Sequence, residues 1–309
     1  NSTTGCSSTS QAIAVTVNAL PTITTGTNPT VCRGTTSALL SYTASNAPNQ
    51  YSIDYNAAAN TAGFTDVVNA ALPVGNITLI IPGAATATTY YGTLTVRNTV
   101  TGCVSSAQPI EVIIQAPIVS YTGPTTICVG ATTTLSPTTG GTWISNSPLV
   151  SSVDNSGNVL ALAAGTTTFT FTETATGCSS TTSTLTVNGN STLSLTSAPG
   201  TTSQTVCIST AISNITYLVG GGGTGATVTG LPSGVTGNYN SGSKIFTITG
   251  TPMVSGTFNY IVTTTGPCVN VSLGGSISVT ANATISLTSG VGSNIQSVCA
   301  NTAIADITY

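Results

Sequence analysis

Apolar and polar residues alternate along short stretches of this chain, with the two-residue period of a strand that buries one face. The clearest stretch is 168–174, where Thr168, Thr170, Thr172 and Thr174 alternate with Phe169, Phe171 and Glu173. The aromatic face predicts burial and the threonine face predicts exposure. Shorter alternations occupy Ala12 to Val17, Ile110 to Ile114 and Leu185 to Val187. Asp154-Asn155-Ser156-Gly157 separates Val150–Val153 from Val159–Leu162 and predicts a hairpin turn. Trp143, the only tryptophan, is expected on a central strand against the core. Five or more short strands with frequent turns between residues 116 and 188 predict a β-sandwich.

Composition extends this reading to the whole chain. Thr occurs 65 times and Ser 37 times among 309 residues, whereas there is one Lys, one Met, two Glu and two Arg. Thr, Val, Ile and Tyr favour strands, and Gly, Asn, Ser and Pro supply turns, so an all-β fold follows. Disordered Ser/Thr-rich sequence is poor in β-branched apolar residues and rich in charge. Here 39% of residues are hydrophobic and only 3% are charged, so cores can be buried.

Scarce charge removes whole classes of function. Three basic residues cannot track a phosphate backbone, so nucleic-acid binding is not expected. With no histidine there is no Ser-His-Asp or Cys-His catalysis and no imidazole metal ligand. No apolar run reaches the length of a membrane span.

The cysteines carry the strongest pattern. They stand at 6, 32, 103, 128, 178, 207, 268 and 299, at intervals of 26, 71, 25, 50, 29, 61 and 31. Cys32, Cys128, Cys207 and Cys299 lie in similar surroundings, such as Val31-Cys32-Arg33-Gly34-Thr35 and Ile127-Cys128-Val129-Gly130-Ala131. Cys6, Cys103 and Cys178 follow Thr-Gly, and Cys268 follows Thr-Gly-Pro. The first kind reads as an opening cysteine on the first strand of a domain. The second reads as a closing cysteine in the turn before its last strand. Asn190–Tyr217 and Asn282–Tyr309 align without a gap at an offset of 92, with 16 of 28 positions identical, which marks an internal repeat.

The expected division is the tail of a preceding domain (1–17), three domains (18–115, 116–188 and 189–281) and the start of a further repeat (282–309), a window on a longer array. Cysteines without a closely spaced pair such as C-x2-C read as disulfides of an oxidising compartment, not as a zinc site. The expected pairs are Cys32–Cys103, Cys128–Cys178 and Cys207–Cys268, one per domain, with Cys6 and Cys299 pairing outside the window. Each would contribute about 4 kcal/mol on the chain-entropy model.

Three stretches carry family resemblances. Residues 142–167, T-W-I-S-N-S-P-L-V-S-S-V-D-N-S-G-N-V-L-A-L-A-A-G-T-T, resemble bacterial Ig-like group 2 domains. Residues 228–236, V-T-G-L-P-S-G-V-T, and 246–263, F-T-I-T-G-T-P-M-V-S-G-T-F-N-Y-I-V-T, resemble the Ig-type, cadherin-like repeats of bacterial surface proteins. Residues 51–68, Y-S-I-D-Y-N-A-A-A-N-T-A-G-F-T-D-V-V, with 94–103, L-T-V-R-N-T-V-T-G-C, are similar to PKD-like repeats of Bacteroidota. Together they resemble the SprB-type giant surface adhesins of gliding Bacteroidota, exported by type IX secretion. The resemblance implies a tandem array of Ig-like β-sandwiches in an extracellular, cell-surface filament that supports attachment and gliding. It implies no catalytic residue and no cofactor. The implied partners are neighbouring repeats and, through a tip elsewhere, surface polysaccharide or other cells.

Other chemistry finds little support. Gly220, Gly222 and Gly225 fit G-x-G-x-x-G, but no helix follows and the run reads as a loop. A glycosidase needs a carboxylate pair. Residues 189–281 hold no acid, while Asp54, Asp66, Glu111, Asp154 and Glu173 are scattered; Asp154 reads as a turn residue and Glu173 as the outward side of a strand. Calcium needs several hard oxygen ligands, and 116–120, 188–192 and 280–284 hold no carboxylate. No metal ligand is therefore named. Lys244 is the only lysine, so recurrent Lys–Asn isopeptide links are not expected. Tyr90 or Tyr91, if exposed, would suit a carbohydrate-binding module or an accessory module of a secreted enzyme.

Almost nothing in the sequence titrates near neutrality. Thermal stability should therefore be nearly flat between about pH 5 and 8, respond weakly to salt and fall on reduction. A melting temperature that follows ionic strength but not reductant contradicts this.

Overall fold

The structure is a computed structural model and describes residue 3 and residues 9–309. Its described part is all-β, with 26 strands and one five-residue α-helix. The chain divides into two compact units. Unit one holds residues 1–125, 132–160 and 167–184, and unit two holds 126–131, 161–166 and 185–309.

Unit one opens with β1 (Thr22–Thr25), β2 (Thr30–Cys32), β3 (Ser37–Ser45), β4 (Gln50–Tyr55), β5 (Val67–Ala71), β6 (Asn76–Ile80), β7 (Thr89–Arg97) and β8 (Gln108–Gln115). They form a sheet ordered β1-β3-β6 and a second ordered β2-β8-β7-β4-β5. This is an Ig-like sandwich, in which two mainly antiparallel sheets face each other across one core. Alternation places the core. In β7, Tyr90, Gly92, Leu94 and Val96 point inward while Tyr91, Thr93 and Arg97 point out. They meet Leu40, Ile77 and Leu79 of the smaller sheet. The α-helix, α1 (Ala57–Thr61), is capped by Asn56, whose Oδ1 accepts the Ala59 N–H at 2.9 Å, and it buries Ala59 completely.

The next strands are β9 (Ser120–Tyr121), β10 (Thr126–Cys128), β11 (Thr132–Ser136), β12 (Gly141–Ser145), β13 (Ser151–Val153), β14 (Asn158–Ala161), β15 (Gly165–Thr167), β16 (Phe169–Glu173), β17 (Ser179–Thr181) and β18 (Leu185–Asn188). Within unit one, β13-β14-β11-β9 and β12-β16-β17 form facing sheets, and Tyr121 meets Phe169 edge-on at 6.4 Å between ring centroids. Phe169 and Phe171 are buried as their alternation predicts. Asp154–Gly157 makes the turn between β13 and β14, with the Gly157 N–H bonded to the Asp154 carbonyl. Trp143 departs from expectation. It lies on β12, at the edge of its sheet, where it is buried against Phe171 and its Nε1–H donates to the Pro137 carbonyl at 2.9 Å.

Unit two contains the sheet β10-β18-β15. Its remaining strands are β19 (Ser191–Leu195), β20 (Ser203–Cys207), β21 (Ile215–Gly221), β22 (Gly225–Thr229), β23 (Val235–Asn240), β24 (Ile245–Gly250), β25 (Gly256–Thr265) and β26 (Ser272–Thr280). Sheets β19-β21-β24-β23 and β20-β26-β25-β22 enclose Tyr217, Phe246, Ile248, Tyr260, Val262 and Ile277. The glycine run carries the chain from one sheet to the other. At Gly222 a Cβ would collide with the Gly189 carbonyl oxygen, so the crossing needs a residue without a side chain.

Two predicted segments do not form strands. Ala12–Val17 is exposed throughout, and the Thr4-Gly5-Cys6 motif falls outside the described residues. Residues 282–309 also lack strands, although their counterparts build β19, β20 and the start of β21. Their turns nevertheless match at the offset of 92. Gln204 bonds Thr201 and Ser213 as Gln296 bonds Ser293 and Ala305. Local turns form alone, whereas ladders need the partners that β24 and β26 provide in residues 189–281.

Leu94 is fully buried and Val74 fully exposed. Leu94→Ala should cost about 2–5 kcal/mol, and Val74→Ala no more than about 0.5 kcal/mol, by denaturant unfolding. Similar costs at both sites contradict the assigned core.

Candidate functional site

Three of the four opening cysteines, Cys32, Cys128 and Cys207, each end a short strand that runs parallel to the last strand of its sheet. Cys32 of β2 stands opposite Gln115, the final residue of β8. Cys128 of β10 stands opposite Asn188, the final residue of β18. Cys207 of β20 stands opposite Thr280, the final residue of β26. The opening cysteine therefore lies where the last strand ends and the chain leaves.

The closing cysteines stand at the other end. Cys103 lies in the connection from β7 to β8, before β8 begins, and Cys268 lies in the connection from β25 to β26. The length of β8 then separates Cys103 from Cys32 by roughly 23 Å, and that of β26 separates Cys268 from Cys207 by about 26 Å. A disulfide needs Cα atoms within about 7 Å, so neither pair can close.

The structure bonds Cys32 to Cys178, with Cα atoms 5.1 Å apart, and Cys128 to Cys268, at 5.7 Å. The expected pairs Cys32–Cys103, Cys128–Cys178 and Cys207–Cys268 are therefore corrected, while each of the two compact units holds one disulfide. An opening cysteine bonds the closing cysteine that follows the next opening one. Both orders fit the alternating gaps; strand direction decides between them. Cys103, Cys207 and Cys299 are free thiols, and Cys6 lies outside the described residues.

Local sequence shapes both kinds of turn. After each opening cysteine, the second residue has positive φ: +88° at Gly34, +85° at Gly130, +62° at Ser209 and +68° at Asn301. The N–H of the third residue then bonds the cysteine carbonyl at 2.9–3.1 Å in all four turns. Thr-Gly-Cys makes a second shared turn. Asn98 N–H donates to the Cys103 carbonyl and Gly102 N–H to the Asn98 carbonyl, as Glu173 does to Cys178 and Gly177 to Glu173. Gly102 and Gly177 have φ of +73° and +71°, which explains the glycine.

The scattered carboxylates serve local structure. Asp154 accepts from the N–H groups of Ser156 and Asn158 and from the Asn158 amide, which hold its carboxyl below the usual range. Glu173 accepts the Thr176 hydroxyl at 2.6 Å. Asp66 accepts the Tyr55 N–H at 2.9 Å, while Asp54 is exposed on β4 and Glu111 lies on β8. Among the described residues no group of three or more Cys, Asp or Glu could hold a metal ion, and no helix is long and apolar enough to cross a membrane. Tyr90 is buried beside Phe64 with its hydroxyl near Thr86, and Tyr91 is half exposed.

No protein-family model matches the sequence, and no curated protein matches it. Among solved structures, the N-terminal eight Ig domains of Down syndrome cell adhesion molecule align over 84% of this chain, at 13% identity and a TM-score of 0.36. Domains 1–6 of the surface-layer protein SbsC align over 89%, at 13% identity and 0.26. An I-band fragment of titin aligns over 86% of this chain and all of its own length, at 14% identity and 0.34. The chain spans 37% of the first structure and 42% of the second.

Burial, then the neighbouring Tyr51 and Asp66, push the Tyr55 hydroxyl up to about 12, and burial and the Tyr217 hydroxyl push Tyr260 up as well. A raised folded pKa gives stability that is whole below the unfolded value near 10 and is lost as pH climbs through the folded one. Unfolding free energy should therefore hold to about pH 10 and then decline toward 12, with a shallower decline in Tyr55→Phe. An unchanged slope in that variant contradicts the assignment.

Proposed function

We propose that this chain is a shaft segment of a long extracellular repeat adhesin or cell-surface filament, and not an enzyme. The observation that carries the reading is the pair of disulfides, each spanning more than one expected repeat. On the division into 18–115, 116–188 and 189–281, Cys32–Cys178 staples the first repeat to the second and Cys128–Cys268 staples the second to the third. Such bonds strengthen junctions, where a shaft under tension would otherwise yield. The resemblance to gliding-bacterium adhesins supports surface attachment, gliding and type IX export as the setting. Neighbouring repeats are the immediate partners, and surface polysaccharide or other cells would be met by a tip elsewhere. A carbohydrate-binding module would present a row of exposed aromatic rings; among the described residues Tyr91 and Tyr309 are the exposed ones, and they do not make a row.

Antibodies to residues 18–281 should decorate intact cells that make the protein, and external protease should remove the signal. An epitope found only inside the cell sinks the reading. The shaft role also has a mechanical test. With both bonds intact, the 236 residues from Cys32 to Cys268 reduce to the 50 between Cys128 and Cys178 along the shortest covalent path. Single-molecule pulling should release about 186 more residues after reduction, roughly 630 Å of contour at about 3.4 Å each. Equal contour lengths before and after reduction contradict a covalent load path.

A further inference from the structure

The two bonds follow one rule, and the rule assigns partners to cysteines that are free here. We infer that Cys207 and Cys103 are cross-linking sites for the adjoining repeats: Cys207 takes the closing cysteine of the repeat that begins at 282, and Cys103 takes the opening cysteine of the repeat that precedes residue 18. This rests on the reading of the chain as part of a longer array.

Three observations carry it. First, Cys207 occupies the place of Cys32 and Cys128, at the end of a strand parallel to the last strand and level with its final residue. Second, the turn after Cys207 repeats theirs, with positive φ at Ser209 and the Thr210 N–H on the Cys207 carbonyl at 3.1 Å. Cys103 likewise shares the turn of the bonded Cys178, down to Thr101 and Thr176, whose hydroxyls face the cysteine N–H groups. Third, the partner inside its own repeat is out of reach. Cys268, the closing cysteine of the third repeat, is already bonded to Cys128, and the length of β26 separates it from Cys207. Cys207 is exposed, which leaves its sulfur open to a neighbour.

The chemistry is ordinary thiol–disulfide exchange. The Cys207 thiolate attacks a disulfide-bearing oxidant such as oxidised glutathione and forms a mixed disulfide. The closing cysteine of the next repeat, as thiolate, then displaces the second thiol. One S–S bond forms in the protein and one breaks in the oxidant. The oxidant carries away two electrons, and the two protons lost by the cysteines end on its thiols. Extended along an array, the rule builds two interleaved covalent paths. Each runs from a closing cysteine through a short interval of 25–31 residues to the next opening cysteine, then across a disulfide to the closing cysteine of the repeat beyond. The long intervals of 50–71 residues, which hold the bodies of the sandwiches, lie off both paths.

The test completes the fourth repeat. Residues 190–217 and 282–309 are in register, so a copy of residues 218–281 placed after Tyr309 continues the unit and supplies a closing cysteine equivalent to Cys268. Both chains are oxidised with oxidised glutathione, alkylated and mapped by mass spectrometry. In the 309-residue chain Cys207 should be alkylated nearly completely. In the extended chain alkylation of Cys207 should fall nearly to zero, with a linked peptide joining it to the added closing cysteine, while Cys299 stays alkylated. A bond between the added cysteine and Cys299, or a Cys207 still alkylated in the extended chain, overturns the inference. Native full-length protein gives a second measurement that does not depend on folding of the extension: Cys103 and Cys207 should each be linked to another repeat. Free thiols there, in a chain that does contain flanking repeats, sink the inference and leave the array standing; a full-length chain without flanking repeats sinks the array itself.

Discussion

Cysteine pairing in this chain depends on the direction of one short strand in each sandwich. β2, β10 and β20 are three to five residues long and lie parallel to the last strand of their sheet. Had they run antiparallel, each opening cysteine would have ended beside its own closing turn, and a bridge within the sandwich would have followed. Parallel pairing instead carries the cysteine to the end from which the chain departs, where the closing turn of the following repeat is the sulfur within reach. Some three residues of ladder thus decide which closing cysteine each opening cysteine meets.

Bonds that span 146 and 140 residues close larger loops than bridges within single repeats would. On the chain-entropy model each contributes about 5 kcal/mol, little more than a smaller loop. The greater consequence is coupling: on the proposed division, residues 116–188 are tied through Cys178 and Cys128 to the repeats on both sides. The composition leaves few other means. Nine charged residues cannot build ion-pair networks, and one lysine cannot supply recurrent isopeptide links. Sulfur is the cross-linking chemistry that recurs in step with the repeats.

Much of the fold is legible in the sequence because sandwiches announce themselves through period-two alternation. Phe169, Phe171 and the turn at Asp154–Gly157 read correctly from local pattern, whereas the glycine run expected as a loop begins inside a strand, with Gly220 and Gly221 ending β21. Trp143 did not read correctly either: an aromatic residue signals burial but not whether its strand is central, and the edge strand β12 buries it by turning one face inward. Cysteine connectivity was illegible for a related reason. The intervals alternate identically under either pairing, and only the tertiary choice of parallel partners separates them. Ala12–Val17 marks the limit of alternation as a signal, since a strand needs a neighbour for its hydrogen bonds.

The most direct measurement is the disulfide map of the oxidised 309-residue chain. With one lysine and two arginines, trypsin is of little use, so pepsin fragments prepared at low pH, where thiol exchange is slow, are the suitable material. The account requires linked peptides containing Cys32 with Cys178 and Cys128 with Cys268. Peptides linking Cys32 with Cys103, or Cys207 with Cys268, would place the bonds within single sandwiches and contradict it.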